Sequence, residues 1–232
     1  SSLGLDVEKP PFRGGRPPFR GRRRGWRQDG ACLRLVCQMA CTAAKYADRE
    51  FWDGHFAKGV YGETYEWVAD LSALAPVLEP LLAEAPGGAP GCRVLHLGCG
   101  NSELPEQLYD ELGVRRCTSV DFSEAAVTLM RQRNAALRPE LTWEVCDCSD
   151  MRDLLADAAF DLVVEKGLLD AVACTPELAG RRTALLAVLG EVARVLADGG
   201  AFVLATVDPA ARERELCAAV GPGGAPPGLQ FE

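Results

Sequence analysis

The stretch VLHLGCGNS, residues 94–102, constrains the fold more than any other. An apolar run stops at Gly98 and Gly100, two glycines one residue apart, and Asn101 and Ser102 follow. Glycine permits a tight turn and lets another molecule approach the bare main chain. Downstream the chain alternates between two kinds of segment. CRVLHL (92–97), CTSVD (117–121), LTWEVCD (141–147), FDLVVEK (160–166) and AFVLATV (201–207) read as strands. SELPEQLYDEL (102–112), SEAAVTLMRQRNAAL (123–137), SDMRDLLADA (149–158), RRTALLAVLGEVARVLADGG (181–200) and DPAARERELCAAV (208–220) read as helices. Ser102 suits an N-cap, Asp208-Pro209 a helix start, and the Gly199-Gly200 pair a helix end. Ala126, Leu129, Met130 and Leu137 suit one buried helix face.

Strands alternating with helices imply a parallel sheet covered on both faces. The expected fold is α/β, a doubly wound sheet in a three-layer α/β/α arrangement. Ligands of such folds bind beyond the carboxyl ends of the strands, at the point where strand order reverses. Gly98 and Gly100 fall there.

The rest of the chain divides by composition. Residues 1–30 form an Arg/Gly/Pro-rich tail in which PPFRG occurs twice, and such a segment is expected to be disordered. It reads either as a solvated tail or as an RNA-binding one, with Phe12, Phe19 and Trp26 stacking on bases. Residues 31–90 read as a helical entry segment, with helical stretches over 31–58. A second amphipathic helix over 62–85 is interrupted at Pro76 and Pro80, and PGGAPG (86–91) makes a flexible boundary. Residues 91–220 form the ligand-binding domain, and 221–232 a Gly/Pro-rich end. With no initiator Met, the chain reads as part of a longer sequence.

The net charge of −8 is unevenly spread: residues 1–27 carry +6 and the remainder −14. An acidic body is a poor nucleic-acid binder and attracts a basic protein surface. No apolar run approaches the ~18 residues of a membrane span. No secretory leader pattern is present. The ten cysteines include no CxxC, so they read as small buried residues in a reducing cytoplasm, with no metal. His96, inside the first strand, reads as a hydrogen-bonded core residue.

Two acids flank the glycine turn. Asp121 ends the second strand, twenty-one residues after Gly100, where a carboxylate accepts from both ribose hydroxyls of a nucleoside. Asp147 ends the third, where a carboxylate accepts from an adenine amino group and the Cys148 amide reaches a ring nitrogen. A dinucleotide site expects a third glycine, G-x-G-x-x-G, before a helix that faces the pyrophosphate. Here that position is Glu103, whose charge opposes a diphosphate. S-adenosylmethionine carries a sulfonium and no phosphate, so the sequence favours it over NAD.

Residues 46–207 resemble the seven-strand S-adenosylmethionine-dependent methyltransferases. Within them they are similar to the branch that methylates eukaryotic elongation factor 1 alpha. The resemblance rests on EFWDGHF (50–56), YEW (65–67), LGCGNSELPEQLYD (97–110), SVDFS (119–123), the Asp147 strand end and FDLVVEKGLLDA (160–171). It implies a Rossmann-like fold and cofactor contacts at Trp52, Phe56, Trp67, Gly98, Asp121, Phe122, Asp147, Cys148 and Lys166; Gly100 joins them from the turn itself. Trp52, Phe56 and Trp67 read either as an aromatic lid, whose ring faces favour a sulfonium, or as anchors of the entry helices. Phe122 flanks an adenine or covers the second strand. Glu165 and Lys166 end the fourth strand at the switch point or are a solvated strand end. The chain departs from the family in three places. Val68 stands where an aromatic residue is common, Leu168 stands where threonine is common, and the sequence ends before an antiparallel sixth and seventh strand. Without that hairpin, AFVLATV is expected to expose an apolar edge.

The expected activity is protein-lysine N-methylation, with a translation elongation factor as target. A small-molecule methyltransferase and an inactive binding module are the alternatives. Nothing resembles a Ser/His/Asp or Cys/His nucleophile, and an in-line methyl transfer needs none. Glu165 and Asp170 are the candidate catalytic groups, orienting an amine or passing its proton to water.

Overall fold

The computed structural model describes residues 26–27, 33–37, 44–220 and 230–231. The tail that contains both PPFRG copies and the end over 221–229 lie outside the described residues, as do the disorder and RNA readings attached to that tail.

In chain order the elements are β1 (Trp26–Arg27), β2 (Leu33–Cys37), a 3₁₀ turn (Ala44–Ala47), α1 (Arg49–Ala57), α2 (Leu71–Glu84), α3 (Gly88–Gly91) and β3 (Arg93–Leu97). Then come α4 (Leu104–Asp110), β4 (Arg116–Asp121), α5 (Glu124–Asn134), β5 (Thr142–Val145), β6 (Phe160–Lys166), α6 (Leu168–Ala173), α7 (Leu178–Val195), β7 (Leu196–Thr206), α8 (Pro209–Val220) and β8 (Gln230–Phe231). β1 and β8 form a two-residue antiparallel pair.

The main sheet has the order β2-β7-β6-β3-β4-β5, and every pairing in it is parallel. The chain runs outward from β3 through β4 to β5, then returns to the other side of β3 as β6 and β7. The switch point therefore lies between β3 and β6, with Leu97 paired to Glu165 at its rim. Side chains alternate across the sheet. Leu95, Leu97, Val163, Phe202 and Leu204 pack against α7 residues Leu185, Leu189 and Val192 on one face. Val94, Leu162, Val164 and Val203 pack with Leu74 and Leu78 of α2, Leu108 of α4 and Met130 of α5 on the other. This is the doubly wound, three-layer arrangement.

The entry segment differs from its sequence reading. Leu33–Cys37, expected within helical stretches, is a strand laid parallel along β7, so the edge expected to stand bare is covered. α2 begins only at Leu71, capped by Asp70, whose side chain accepts from the Ala73 amide at 3.0 Å. Pro76 and Pro80 lie inside it without breaking it. Both are exposed, so the carbonyls they leave unpaired face water, while Leu71, Leu74, Leu78 and Leu82 hold the opposite side in the core. The PGGAPG boundary contains one helical turn, α3, rather than a flexible link.

Three helix readings shift as well. Residues 149–158 make turns, pinned by buried Met151 and Leu155. α7 ends at Val195 instead of at the glycine pair. Gly199 and Gly200 belong to an irregularity of β7, where pairing jumps from Phe160–Leu196 to Leu162–Ala201. On α5 the buried positions are Ala126, Val127, Met130 and Asn134, and Leu137 lies beyond the helix end, 70% exposed.

These placements predict opposite outcomes for two truncations. Phe202→Ala, at a fully buried position of β7, lowers the unfolding free energy by about 3–5 kcal/mol. Leu137→Ala changes it by no more than about 0.5 kcal/mol. Urea unfolding followed by circular dichroism measures both.

Candidate cofactor and active site

The glycine turn after β3 requires its glycines. Gly98 has φ 59° and Gly100 has φ 49°, the left-handed region that a side chain disfavours. A Cβ at Gly98 would stand 3.1 Å from Cβ of Leu168, and one at Gly100 would stand 3.1 Å from Cζ of Phe56. The turn is tied to the end of β4 by Asp121. The Gly100 amide donates to Asp121 Oδ2 at 2.8 Å, and the Ser123 amide donates to Oδ1 at 2.9 Å. Burial raises this carboxyl above its usual range, and the two amides offset only part of that rise. Each oxygen retains a lone pair for a further donor.

The neighbouring strand end is more open. Asp147 is exposed, and its Oδ1 accepts from the amide and the hydroxyl of Ser149 at 2.9 and 2.7 Å. Cys148 is buried, and burial pushes its thiol well above the ordinary value. Phe122 is half-buried, and Arg49 of α1 reaches it twice. The Arg49 guanidinium donates to the Phe122 carbonyl at 2.7 Å and sits 5.6 Å from the ring centroid. α1 is thereby latched across the end of β4.

Trp52, Phe56 and Trp67 belong to one cluster of rings. Trp52 stacks on Phe56 with centroids 6.1 Å apart and meets Trp67 edge-on at 5.5 Å. Sequence reasoning passed over Tyr46, Tyr61 and Tyr65, which join the cluster together with Phe51 and His55. Tyr61 is 5.3 Å from Trp67 and 5.2 Å from Tyr65, and Tyr46 is 5.7 Å from Trp52. Their signal was aromatic density over 46–67, visible only when the loop and α1 are read together. Burial, helped by the neighbouring tyrosines, pushes Tyr61 up to about 12, so it remains a neutral phenol at physiological pH. The Trp67 indole N–H is buried with no partner. Phe56 carries this cluster onto Gly100.

Glu66 was also missed. It accepts from the Ser102 hydroxyl at 2.9 Å and the Glu103 amide at 2.5 Å, and it pairs with the Lys166 ammonium. Lys166 further donates to the carbonyls of Trp67 and Ala69, at 3.5 and 3.3 Å. Those carbonyls bracket Val68, whose φ of 67° is rare for a β-branched residue and costs about 1–3 kcal/mol. The Lys166 ammonium is thus spent on the 66–69 loop, and what it leaves toward the switch point is its main chain.

The two carboxylates expected to serve an amine face inward. Glu165 is fully buried. Its Oε2 accepts from the amides of Leu168 and Leu169 at 2.7 and 3.2 Å, and its Oε1 has no partner. Burial, with the Asp170 charge second, raises it to about 8. Asp170 accepts from the Thr206 hydroxyl at 2.6 Å, the Val207 amide at 3.0 Å and Arg212 at 2.8 Å, which joins α6 to β7 and α8. Neither is placed to meet an amine arriving from outside. His96 is in the core, but it is not hydrogen-bonded as expected: both ring nitrogens lack partners, and burial lowers it to about 3, which keeps it neutral. Among the described residues no cluster of three His, Cys, Asp or Glu could hold a metal ion.

A doubly wound sheet with a glycine turn at its switch point and acids at the next two strand ends defines a nucleoside-binding α/β protein. Residues 89–221 match the family model described as a methyltransferase domain. The chain is 39% identical over 169 residues to the eEF1A lysine and N-terminal methyltransferase of Danio rerio, covering 72% of this chain and 22% of that protein. It is 35% identical over 185 residues to EEF1A lysine methyltransferase 4 of Bos taurus, covering 76% and 68%. A solved structure, the S-adenosylmethionine dependent methyltransferase from Mesorhizobium loti, aligns over 56% of this chain and 52% of its own with TM-score 0.41 and 25% identity. The chain belongs to the methyltransferase-domain family.

S-adenosylmethionine, the donor this family indicates, fits the residues present. Gly98 is partly exposed, and Gly100 lies under the Phe56 ring on a turn whose positive φ disfavours any side chain; Asp121 and Asp147 are acceptors suited to a ribose and an adenine amine. The Ser102 hydroxyl and the Glu103 amide, the donors that follow the turn, are already bonded to the Glu66 carboxylate and so are not free for a pyrophosphate.

The Glu165 carboxyl gives a pH prediction. Its folded value of about 8 exceeds its ordinary 4.5, so the native state holds a proton that the unfolded chain releases. Its contribution is complete below the unfolded value and is lost as pH rises to the folded one, with a slope of at most about 1.4 kcal/mol per pH unit. Glu165→Gln keeps an acceptor for the two amides and removes the titration. The variant should lose less stability than the parent between mildly acid and mildly alkaline pH, measured by urea unfolding across that range. Parallel pH profiles would refute the assignment.

Proposed function

We propose that this chain carries an S-adenosylmethionine-dependent protein-lysine N-methyltransferase activity acting on a basic protein, with an elongation factor of the eEF1A kind as the target. The observation that carries the reading is the Asp121 carboxylate bonded to the Gly100 amide, which fixes a bare-backbone turn beside an anionic acceptor. The names of the Danio rerio and Bos taurus relatives supply the substrate class. The chain spans 22% of the first and 68% of the second. The acidic balance outside the N-terminal tail favours a basic partner. Among the described residues no helix is long and apolar enough to cross a membrane. We place the protein in the cytoplasm, where free thiols such as Cys92, Cys99 and Cys117 persist.

When bound, the donor supplies an electrophilic methyl group on a sulfonium. The chain's own residues would do the rest. Asp121 and Asp147 would hold the sugar and the base, with the Phe122 ring against the adenine and the Cys148 amide at its edge. Gly98 and Gly100 would let the donor lie on the main chain. Trp52, Phe56 and Trp67 would exclude water and face the positive charge. A lysine amine, with an ordinary pKa of ~10.4, must lose its proton before it attacks. An aromatic mouth strips water from the ammonium and so lowers that value. The neutral Tyr61 hydroxyl can accept from the amine and orient it. Glu165 and Asp170 act as positioning residues: the first holds the turn at 167–169, the second the α6–α8 junction.

Two measurements test the reading. Incubating the protein with methyl-labelled donor and a cell extract should label a basic protein band, and Asp121→Ala should abolish the label. Tight donor binding with label in no protein band would overturn the lysine reading in favour of a small-molecule substrate. Asp147→Ala should weaken donor binding by about tenfold, the worth of one hydrogen bond to a charged acceptor, in calorimetry.

A further inference from the structure

The loop from Glu66 to Ala69 is held in an uncommon conformation by charged contacts. The Glu66 side chain is one-fifth exposed (22%) and that of Lys166 almost fully buried (2%). Glu66 reaches thirty-six residues along the chain to Ser102 and thirty-seven to Glu103. Its carboxylate therefore occupies the two donors immediately after the glycine turn, and its charge is balanced by the one buried ammonium at the end of β6. That ammonium grips the carbonyls on both sides of strained Val68. Val68 in turn rests on Gly167, where a Cβ would meet Val68 Cγ2 at 3.1 Å. Trp67 is carried between these fixed points into the ring cluster that covers Gly100.

We propose that Glu66 is a positioning and specificity residue: a resident anion that fills the donors at 102–103 and, through Lys166, sets Trp67 and the aromatic cover over the glycine turn. Two consequences follow from the chemistry. An external anionic group finds those donors already taken, so the site selects a cofactor without phosphate. The 66–69 loop keeps its strained shape only while the carboxylate is there, because removing it leaves a buried ammonium unpaired. The proposal rests on the S-adenosylmethionine reading for its effect on affinity. The anion-filling part stands without that reading.

The test uses the whole chain and S-adenosylhomocysteine as probe. Glu66→Ala should bind the probe about tenfold more weakly in calorimetry, the scale of a lost charged hydrogen bond. Excess sodium formate, a carboxylate small enough for the vacated place, should restore most of that affinity, and sodium chloride at equal ionic strength should not. Without any probe, formate should change the tryptophan fluorescence of Glu66→Ala and leave that of the parent unaltered. Unchanged affinity in the variant, or a loss that formate does not relieve together with no fluorescence response, would overturn the proposal. If Glu66→Ala fails to fold, Glu66→Gln decides. The neutral amide fills the place but cannot balance Lys166, so affinity should fall without formate rescue, and parental affinity would refute the assignment. Failure of the parent protein to bind the probe, with the formate response intact, would remove the cofactor reading and leave the resident-anion assignment standing.

Discussion

The Asp121 carboxylate, buried and bonded to the Gly100 and Ser123 amides, is the contact on which the site's geometry depends. Burying an ionised carboxylate is unfavourable unless hydrogen bonds replace the lost water. Here the replacements are two main-chain amides from different segments, so the group can be buried only if the glycine turn and the β4–α5 turn are both in place. Solvation and geometry are thus coupled. The turn in turn decides where Phe56 and Leu168 come to rest, because both occupy the space that side chains at Gly100 and Gly98 would need. A single acid thereby organises the end of β3, the start of α5 and, through Phe56, the placement of α1.

Much of this was legible from residue order alone. FDLVVEK is a strand over the range expected, with every residue but Asp161 buried, so that both faces are covered. The acids at 121 and 147 were found because strand ends are marked by a change from apolar to polar. Boundaries governed by tertiary contacts were not legible. The segment 149–158 looks helical by composition, yet Met151 and Leu155 must dip into the core while the Met151 amide donates to Glu191 at 2.7 Å. Pro76 and Pro80 looked like breaks because propensity cannot tell that both face water. Residues 33–37 looked helical because nothing local announces that β7 is an edge needing a partner.

The position of Asp121 beside the glycine turn was legible in the sequence, and the ring cluster only half so. Trp52, Phe56 and Trp67 stand out singly as large residues in a matched motif. Tyr46, Tyr61 and Tyr65 gain meaning only from the folding of α1 against the 61–67 loop. Glu66 was invisible for another reason. A glutamate between a tyrosine and a tryptophan reads as a solvated charge, and its partners lie far along the chain. Long-range polar pairing of this kind leaves no periodic trace, whereas it dominates the local energetics once the partners are desolvated.

Position 168 connects the sequence's departures to its electrostatics. Leu168 offers only its amide, which Glu165 Oε2 accepts at 2.7 Å, and its side chain lies over Gly98. The second oxygen, Oε1, is left without a partner in a fully buried position. An oxygen so placed gains from carrying a proton, because the neutral acid loses less hydration than the carboxylate does. The elevated value of about 8 at Glu165 follows from that exchange together with the nearby Asp170 charge. Glu165 itself therefore adds little charge at the switch point at neutral pH. The unpaired acids that a cationic donor would meet are Asp121 and Asp147, at the ends of the neighbouring strands.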